Sequence, residues 1–425
     1  MGQFSISANI LRVNKVGTIY LEFICKDIAG APAGSFYSTF PEDPFDGAQK
    51  LYLEATTLDG DRVHAKEFSI KISAFNRVPP FRLHVFFYEI YLLDNDKLLR
   101  DSDDYLYLEL FEKASLPANK MNSTTSTYGT ESSSWNESEI TLPESKVTII
   151  NKEDRTVVKV SGKFDYNDIY SPLLFYIGLS SGVMPQPYCM IRSTVDGISI
   201  HLKSTHKPQR HKKIPEPFPS TTVGGGWPNC QYEILRQMIH VKCNTPIRFD
   251  GSYSQWMRVW HAFNSEKNIT ILTLGVAIEG LLNDIFIPAL KLIAADEGFE
   301  KSKVELIERL KGIEAKEDHI DSLVKYVEKW GNIHAGKALA MLVEKGLVQE
   351  EERKAWGELR NSATHPKFKE NTEARQEKEH KRISKCLTLF YRLVLNVYSY
   401  DGPMYEFGKL RDADFMKREF VKILE

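Results

Sequence analysis

Cysteine is scarce in this chain: Cys25, Cys189, Cys230, Cys243 and Cys386 are the five in 425 residues, and no two have CxxC spacing. An odd number without close pairs argues against a disulfide framework and against a zinc site. Net charge is nearly absent as well. The formal value is −2 at pH 7, so nucleic acid must be met by local basic patches rather than by an overall pull. No run of eighteen apolar residues occurs, and the start Met-Gly-Gln-Phe-Ser-Ile-Ser lacks the basic segment and apolar core of a secretion signal. These absences set a cytoplasmic location, with no membrane partner, as the expectation. What is present, 42% hydrophobic and 26% charged residues, is ordinary for a globular chain long enough for two or three domains.

The first half is punctuated as a β protein. Residues 18–24, 50–55 and 67–72 alternate apolar and polar side chains with the period of two of half-buried strands. Longer apolar runs at 83–93 and 105–110 suit central strands, and strands resume at 147–150, 157–160 and 198–200. Residues 116–138 contain two Ser/Thr-rich tracts and few apolar side chains to offset ordering entropy, which predicts a mobile insertion. A β-sandwich or a curled antiparallel sheet is the expected architecture of a domain spanning residues 1–213. The acids Asp94, Asp96, Asp101, Asp103 and Asp104 share one loop, where they either hold a divalent cation or form a solvated turn.

Residues 201–213 pack five permanent cations and three histidines into thirteen positions. Lys207, Arg210, Lys212 and Lys213 could neutralise phosphates there, or the stretch is a solvated basic linker. From 214 to 229 the composition turns to Pro, Gly, Ser and Thr, which marks a linker. Beyond it, residues 230–425 read as helical, with helices expected at 254–264, 266–286, 301–330, 335–344, 349–361 and 372–400. The fold class expected is therefore α+β and multidomain, a sandwich-like β domain followed by an all-α bundle.

The stretch Trp356-Gly357-Glu358-Leu359-Arg360-Asn361-Ser362-Ala363-Thr364-His365-Pro366 concentrates the chemistry. Trp356 and Leu359 share one face of a helix that Pro366 stops, and Arg360 follows Trp356 by one turn. His365 precedes a proline, so it belongs on the turn. A permanent cation and a group titrating near neutrality thus stand at one helix terminus, a pair able to handle a phosphodiester. The same residues also suit macrodipole complementation and helix punctuation. A second pair of this spacing, Arg375 and His380, would lie about 140° apart on a continuous helix and reads as a solvated charged face. Glu279 falls three residues from Val276 and Leu282 on an apolar helix, which places it on the buried face and makes Arg360 its expected partner.

A helical bundle with Ala277-Ile278-Glu279-Gly280-Leu281-Leu282 on an early helix and Arg360-Asn361-Ser362-Ala363-Thr364-His365 before the last long one resembles a HEPN domain. More narrowly, it resembles that of ApeA-like prokaryotic defence proteins. The resemblance covers residues of about 230–400. It implies a metal-independent endoribonuclease of an anti-phage defence or toxin system, with no cofactor. His365 would help the ribose 2′-hydroxyl attack the adjacent phosphate, Arg360 would stabilise charge on the phosphoryl oxygens, and Asn361 would position phosphate or histidine. The products would be a 2′,3′-cyclic phosphate and a 5′-hydroxyl. The resemblance further implies a homodimer, or a higher even oligomer, whose two motifs share one cleft. Arg375, Lys378, Lys381 and Arg382 would line the path of a tRNA or other single-stranded RNA, and the β domain would sense a phage-derived or cellular trigger. The alternative is a non-catalytic HEPN module for RNA binding or dimerisation, fused to a ligand-sensing β domain, in which Arg360 is structural.

Overall fold

A computed structural model describes residues 7–13, 18–25, 51–57, 60–72, 81–94, 104–114, 116–125, 131–194, 197–204, 213–218, 227–293, 297–313, 316–364, 372–408 and 421–424. The chain is α+β and divides into two compact units, Met1–Lys212 and Lys213–Glu425.

The first unit is built on one antiparallel sheet. Its strands in chain order begin with β1 (Ser7–Val13), β2 (Ile19–Cys25), β3 (Leu51–Thr56), β4 (Arg62–Ile72), β5 (Phe81–Phe87) and β6 (Glu89–Asp94). They continue with β7 (Asp104–Leu110), β8 (Lys120–Thr125), β9 (Glu131–Thr141), β10 (Ser145–Asn151), β11 (Thr156–Gly162), β12 (Pro187–Thr194) and β13 (Gly197–Lys203). Hydrogen bonds order them β1-β2-β5-β4-β6-β13-β12-β7-β11-β10-β9-β8, with β3 added on β4. The thirteen therefore pair into a single sheet, where a sandwich of two was one of the expectations. The run 83–93 is two strands, because the chain bends at Tyr88 and both halves pair with the long β4.

Alternation explains the centre of the sheet. Leu106, Leu108 and Leu110 of β7 are buried while Tyr105, Tyr107 and Glu109 between them are half-exposed, the period-two pattern of a strand with one face covered. Register aligns Leu108 with Val158 and Met190, and Val158 with Ile149, so one apolar row crosses four strands. A helix absent from the sequence reading, α1 (Tyr166–Ser181), meets the Met190 end of this row, with Tyr166 Oη donating to Met190 Sδ at 3.3 Å and the Arg192 guanidinium 5.0 Å from the Tyr166 ring. Asp165 caps it, accepting from the Asn167 N–H at 2.7 Å, and Gly182 ends it with φ 69°.

The expected mobile insertion at 116–138 is largely a hairpin. Met121 pairs with Trp135 and Thr125 with Glu131, while β9 also pairs with β10. The reason is that a strand at a sheet edge is held by its ladder and by polar side chains, without an apolar face. Asn119 brackets Glu139, donating to its carbonyl and accepting from its N–H, both at 2.8 Å, and Ser138 Oγ donates to the Pro117 carbonyl at 2.6 Å. The tip, 126–130, lies outside the described residues.

The second unit is helical: α2 (Trp227–Asn244), α3 (Pro246–Phe263), α4 (Lys267–Leu281), α5 (Ile287–Ile293), α6 (Glu297–Lys311), α7 (Glu317–Glu328), α8 (Ala335–Glu344), α9 (Glu350–Thr364) and α10 (Glu373–Val397). A π turn at Leu282–Phe286 joins α4 to α5. By length and composition Lys267–Ile293 could cross a membrane, but over half of its most apolar stretch is buried here, and α4 packs against α3, α9 and α10. Trp256, Leu274, Ile278, Phe286, Phe390 and Leu393 form the fully buried centre.

Three expectations are corrected. The single helix at 301–330 is α6 and α7, broken at Gly312. Trp227, Pro228 and Asn229 begin α2 rather than end a linker. Residues 213–218, also expected as linker apart from Lys213, pack into the bundle: Ile214 and Phe218 are buried, and the Pro215 carbonyl accepts from Tyr391 Oη at 2.8 Å. Burial of Ile214 and Phe218 decides the placement of this segment despite its proline-rich composition.

Candidate functional site

Arg360 is placed by its own helix. Ala355, Trp356 and Leu359 bury one face of α9, and Trp356 Nε1 donates to the Gly275 carbonyl of α4 at 3.1 Å, which fixes α9 against α4. One turn on, Arg360 Nη2 meets Glu279 Oε1 at 2.9 Å, and its guanidinium carbon lies 5.6 Å from the Trp356 ring. The expected partnership of Arg360 with Glu279 is the one found. The expected burial of Glu279 is not.

Side-chain exposure is 46% for Arg360 and 28% for Glu279, so the pair sits at the surface. Val276, expected on the buried side of α4, is 51% exposed and Leu272 47%, whereas Ile271, Leu274, Ile278 and Leu281 face inward. The error has a physical cause: α4 is apolar almost all round, so spacing alone does not say which side the bundle covers. A pair this open contributes only ~0.2–1 kcal/mol. Its use is positional, since Trp356 and Glu279 hold a planar cation at the helix end with nearly half of it facing solvent.

Asn361 and Ser362 are exposed in the last turn, Ser362 Oγ donating to the Leu359 carbonyl at 2.7 Å. The helix runs to Thr364. His365 follows directly and lies outside the described residues.

Of the basic residues expected along an RNA path, three on α10 are already paired. Arg382 meets Glu358 of α9, Arg375 lies 3.6 Å from Glu379, and Lys381 lies 2.6 Å from Glu377. Lys267 of α4 reaches Glu379 at 2.9 Å and holds that carboxyl below its ordinary range. Lys378 is exposed and has no ion pair among the described residues. Lys213 is exposed, and Lys207, Arg210 and Lys212 lie outside the described residues.

The start of the basic stretch is strand rather than linker. His201 of β13 is 7% exposed, stacks on Tyr91 with centroids 4.0 Å apart, and shares a 3.1 Å hydrogen bond with Glu89. Burial lowers its pKa and keeps its ring neutral through the ordinary histidine range. Asp96, Asp101 and Asp103 lie outside the described residues. Among the described residues no group of three or more His, Cys, Asp or Glu is placed to hold a metal ion.

Sequence reasoning missed Glu358 as the partner of Arg382, which no local spacing encodes. The stacking of Arg360 on Trp356 was signalled by their i, i+4 spacing. No protein-family model, no curated protein and no solved structure matches the chain.

Proposed function

We propose that the chain is a HEPN-type endoribonuclease that cleaves RNA without a metal, acting in prokaryotic anti-phage defence or as a toxin. The observation that carries this reading is Arg360, held half-exposed at the end of α9 by Trp356 and Glu279, with Asn361 beside it and His365 immediately beyond the helix. A guanidinium in a surface ion pair can exchange a carboxylate for a phosphate at little cost, because each offers it two anionic oxygens as paired acceptors. In the proposed reaction His365 takes the 2′-hydroxyl proton while Arg360 holds the phosphoryl oxygens, and the 2′-oxygen displaces the 5′-oxygen of the next nucleotide. One imidazole cannot serve as acid and base in one step. A second copy of the motif, facing the first in a homodimer, supplies the other. The sheet unit is proposed as the sensor that gates cleavage, and the cytoplasm as the compartment.

The test is cleavage of RNA by the purified full chain with EDTA present. Wild type is expected to yield 2′,3′-cyclic phosphate ends, and Arg360→Ala and His365→Ala to lose ~100-fold or more in rate. Cleavage by both variants at the wild-type rate would remove the catalytic reading. The pairing of Arg360 with Glu279 is also what a structural ion pair would show, and it favours the second reading, a non-catalytic HEPN module. RNA bound equally by wild type and variants, and cut by none, would establish that reading instead.

A further inference from the structure

Helices α6 and α7 lie side by side as a hairpin. Val324 and Val327 of α7 are buried, and Lys303 of α6 donates to the Trp330 carbonyl at 3.0 Å. A face of α7 beside the buried one carries Leu323 and Tyr326, and Trp330 stands two residues past the helix end; the three are 50%, 65% and 41% exposed. Spacings of three and four residues put them on one stripe. The Tyr326 and Trp330 rings meet edge-on with centroids 6.1 Å apart, so the stripe is a preformed surface rather than separate side chains. Its apolar exposure, on the order of 300 Å², reaches the lower end of the range of the largest patch on a typical monomer.

Charge says what fits it. Glu317, Asp318 and Asp321 in the N-terminal half of α7 outweigh Lys316 at its cap, and Lys325 and Lys329 toward the C-terminal end outweigh Glu328 between them, so the first half is net acidic and the second net basic. Two α7 helices laid antiparallel would therefore set each acidic end beside a basic end, with their dipoles opposed. Asp318 and Lys329 are eleven residues apart, so they project within about 20° of one azimuth, on the same flank of the stripe. A two-fold axis midway between them, at Leu323, brings Asp318 of each copy opposite Lys329 of the other. The apolar stripe is then its own complement, which is what an isologous contact requires.

We propose that α7 is the docking surface for a second copy of this chain, packed antiparallel across a two-fold axis near Leu323. The contact is a weak one, because the stripe supplies the core of an interface smaller than the ~800 Å² per partner of a standard complex. It stands independently of the ribonuclease reading.

The test measures the mass of the full chain by light scattering at concentrations from about 1 to 100 µM, the range in which weak association shows. Wild type is expected to double in mass across this range, from the monomer or, where the two motifs of the proposed ribonuclease already face each other, from that dimer. Tyr326→Glu, on an exposed position, abolishes the shift with an unchanged helical spectrum. Asp318→Lys and Lys329→Asp each weaken association about tenfold, and the two together restore it. A mass that does not rise across the range, a doubling that survives Tyr326→Glu, or a double variant no better than the singles would each overturn the proposal. RNA cleavage, read separately on the same samples, leaves this outcome untouched.

Discussion

Glu112 offers the sharpest test of the sheet unit. It follows β7, where Thr156 Oγ donates to its carbonyl at 2.9 Å and the Ala114 N–H donates to Thr156 Oγ at 2.8 Å. Those bonds hold the backbone and draw the side chain inward, yet neither carboxylate oxygen has a hydrogen-bond partner among the described residues. Burial pushes its carboxyl from 4.5 up to about 7, against a smaller lowering by its own nearby backbone N–H, which falls short of hydrogen-bond geometry. The folded protein therefore binds this proton more tightly than the unfolded chain does. The stabilisation is complete below pH 4.5 and is lost as pH rises through about 7.

At ~1.36 kcal/mol per pH unit the ceiling on that loss is ~3 kcal/mol, and solvent reaching the partly exposed residue reduces it to roughly 1–3 kcal/mol. Glu112→Gln cannot ionise and removes the term. The assay is urea unfolding of both full-length proteins, followed by the far-UV signal of the sheet transition at pH 5 and pH 8. With a slope of ~2 kcal/mol/M, the wild-type midpoint is expected to fall by roughly 0.5–1 M more than that of the variant. Parallel curves, with the same pH dependence in both, would refute the claim that this carboxyl is held neutral by burial.

Two further outcomes follow from close contacts. Gly162 has φ 107° and a Cβ added there would lie 2.5 Å from the Glu144 carbonyl, so Gly162→Ala should destabilise the sheet unit by ~2–3 kcal/mol, read as a lowered thermal midpoint. Arg392 is buried in the helical unit, 2.8 Å from Glu352 and 3.6 Å from Glu406. Arg392→Ala leaves both carboxylates buried without their cation and should cost ~3–5 kcal/mol, whereas replacing Arg392, Glu352 and Glu406 together with apolar residues should recover most of that loss in chemical denaturation.

How much could be read in advance depended on contrast. The strands at 18–24, 50–55, 147–150 and 157–160 are found within two residues as β2, β3, β10 and β11, because alternating or β-branched runs bounded by turn residues mark a strand locally. Helix α1 was illegible for the opposite reason: Leu173 to Leu179 is buried on every side, and such a run shows neither period. The β8–β9 hairpin was misread because a strand held by its backbone and by Asn119, Ser138 and Lys120 needs no apolar face. Glu279 was paired correctly but misplaced in depth, since α4 is apolar on the side that faces solvent as well as on the side that does not.

Local covalent order by itself determined that Arg360 would stand one turn beyond Trp356 at the end of a helix and that a period of two would give way to helical periods after residue 230. Those properties depend only on spacing along one segment. Tertiary structure alone decided that Glu279 is the acid beside Arg360, that Arg382 is spent on Glu358, and which side of α4 and α7 faces solvent. Each of these joins or exposes residues far apart in the chain, and the packing of one helix on another, which no single segment encodes, sets the distance between them.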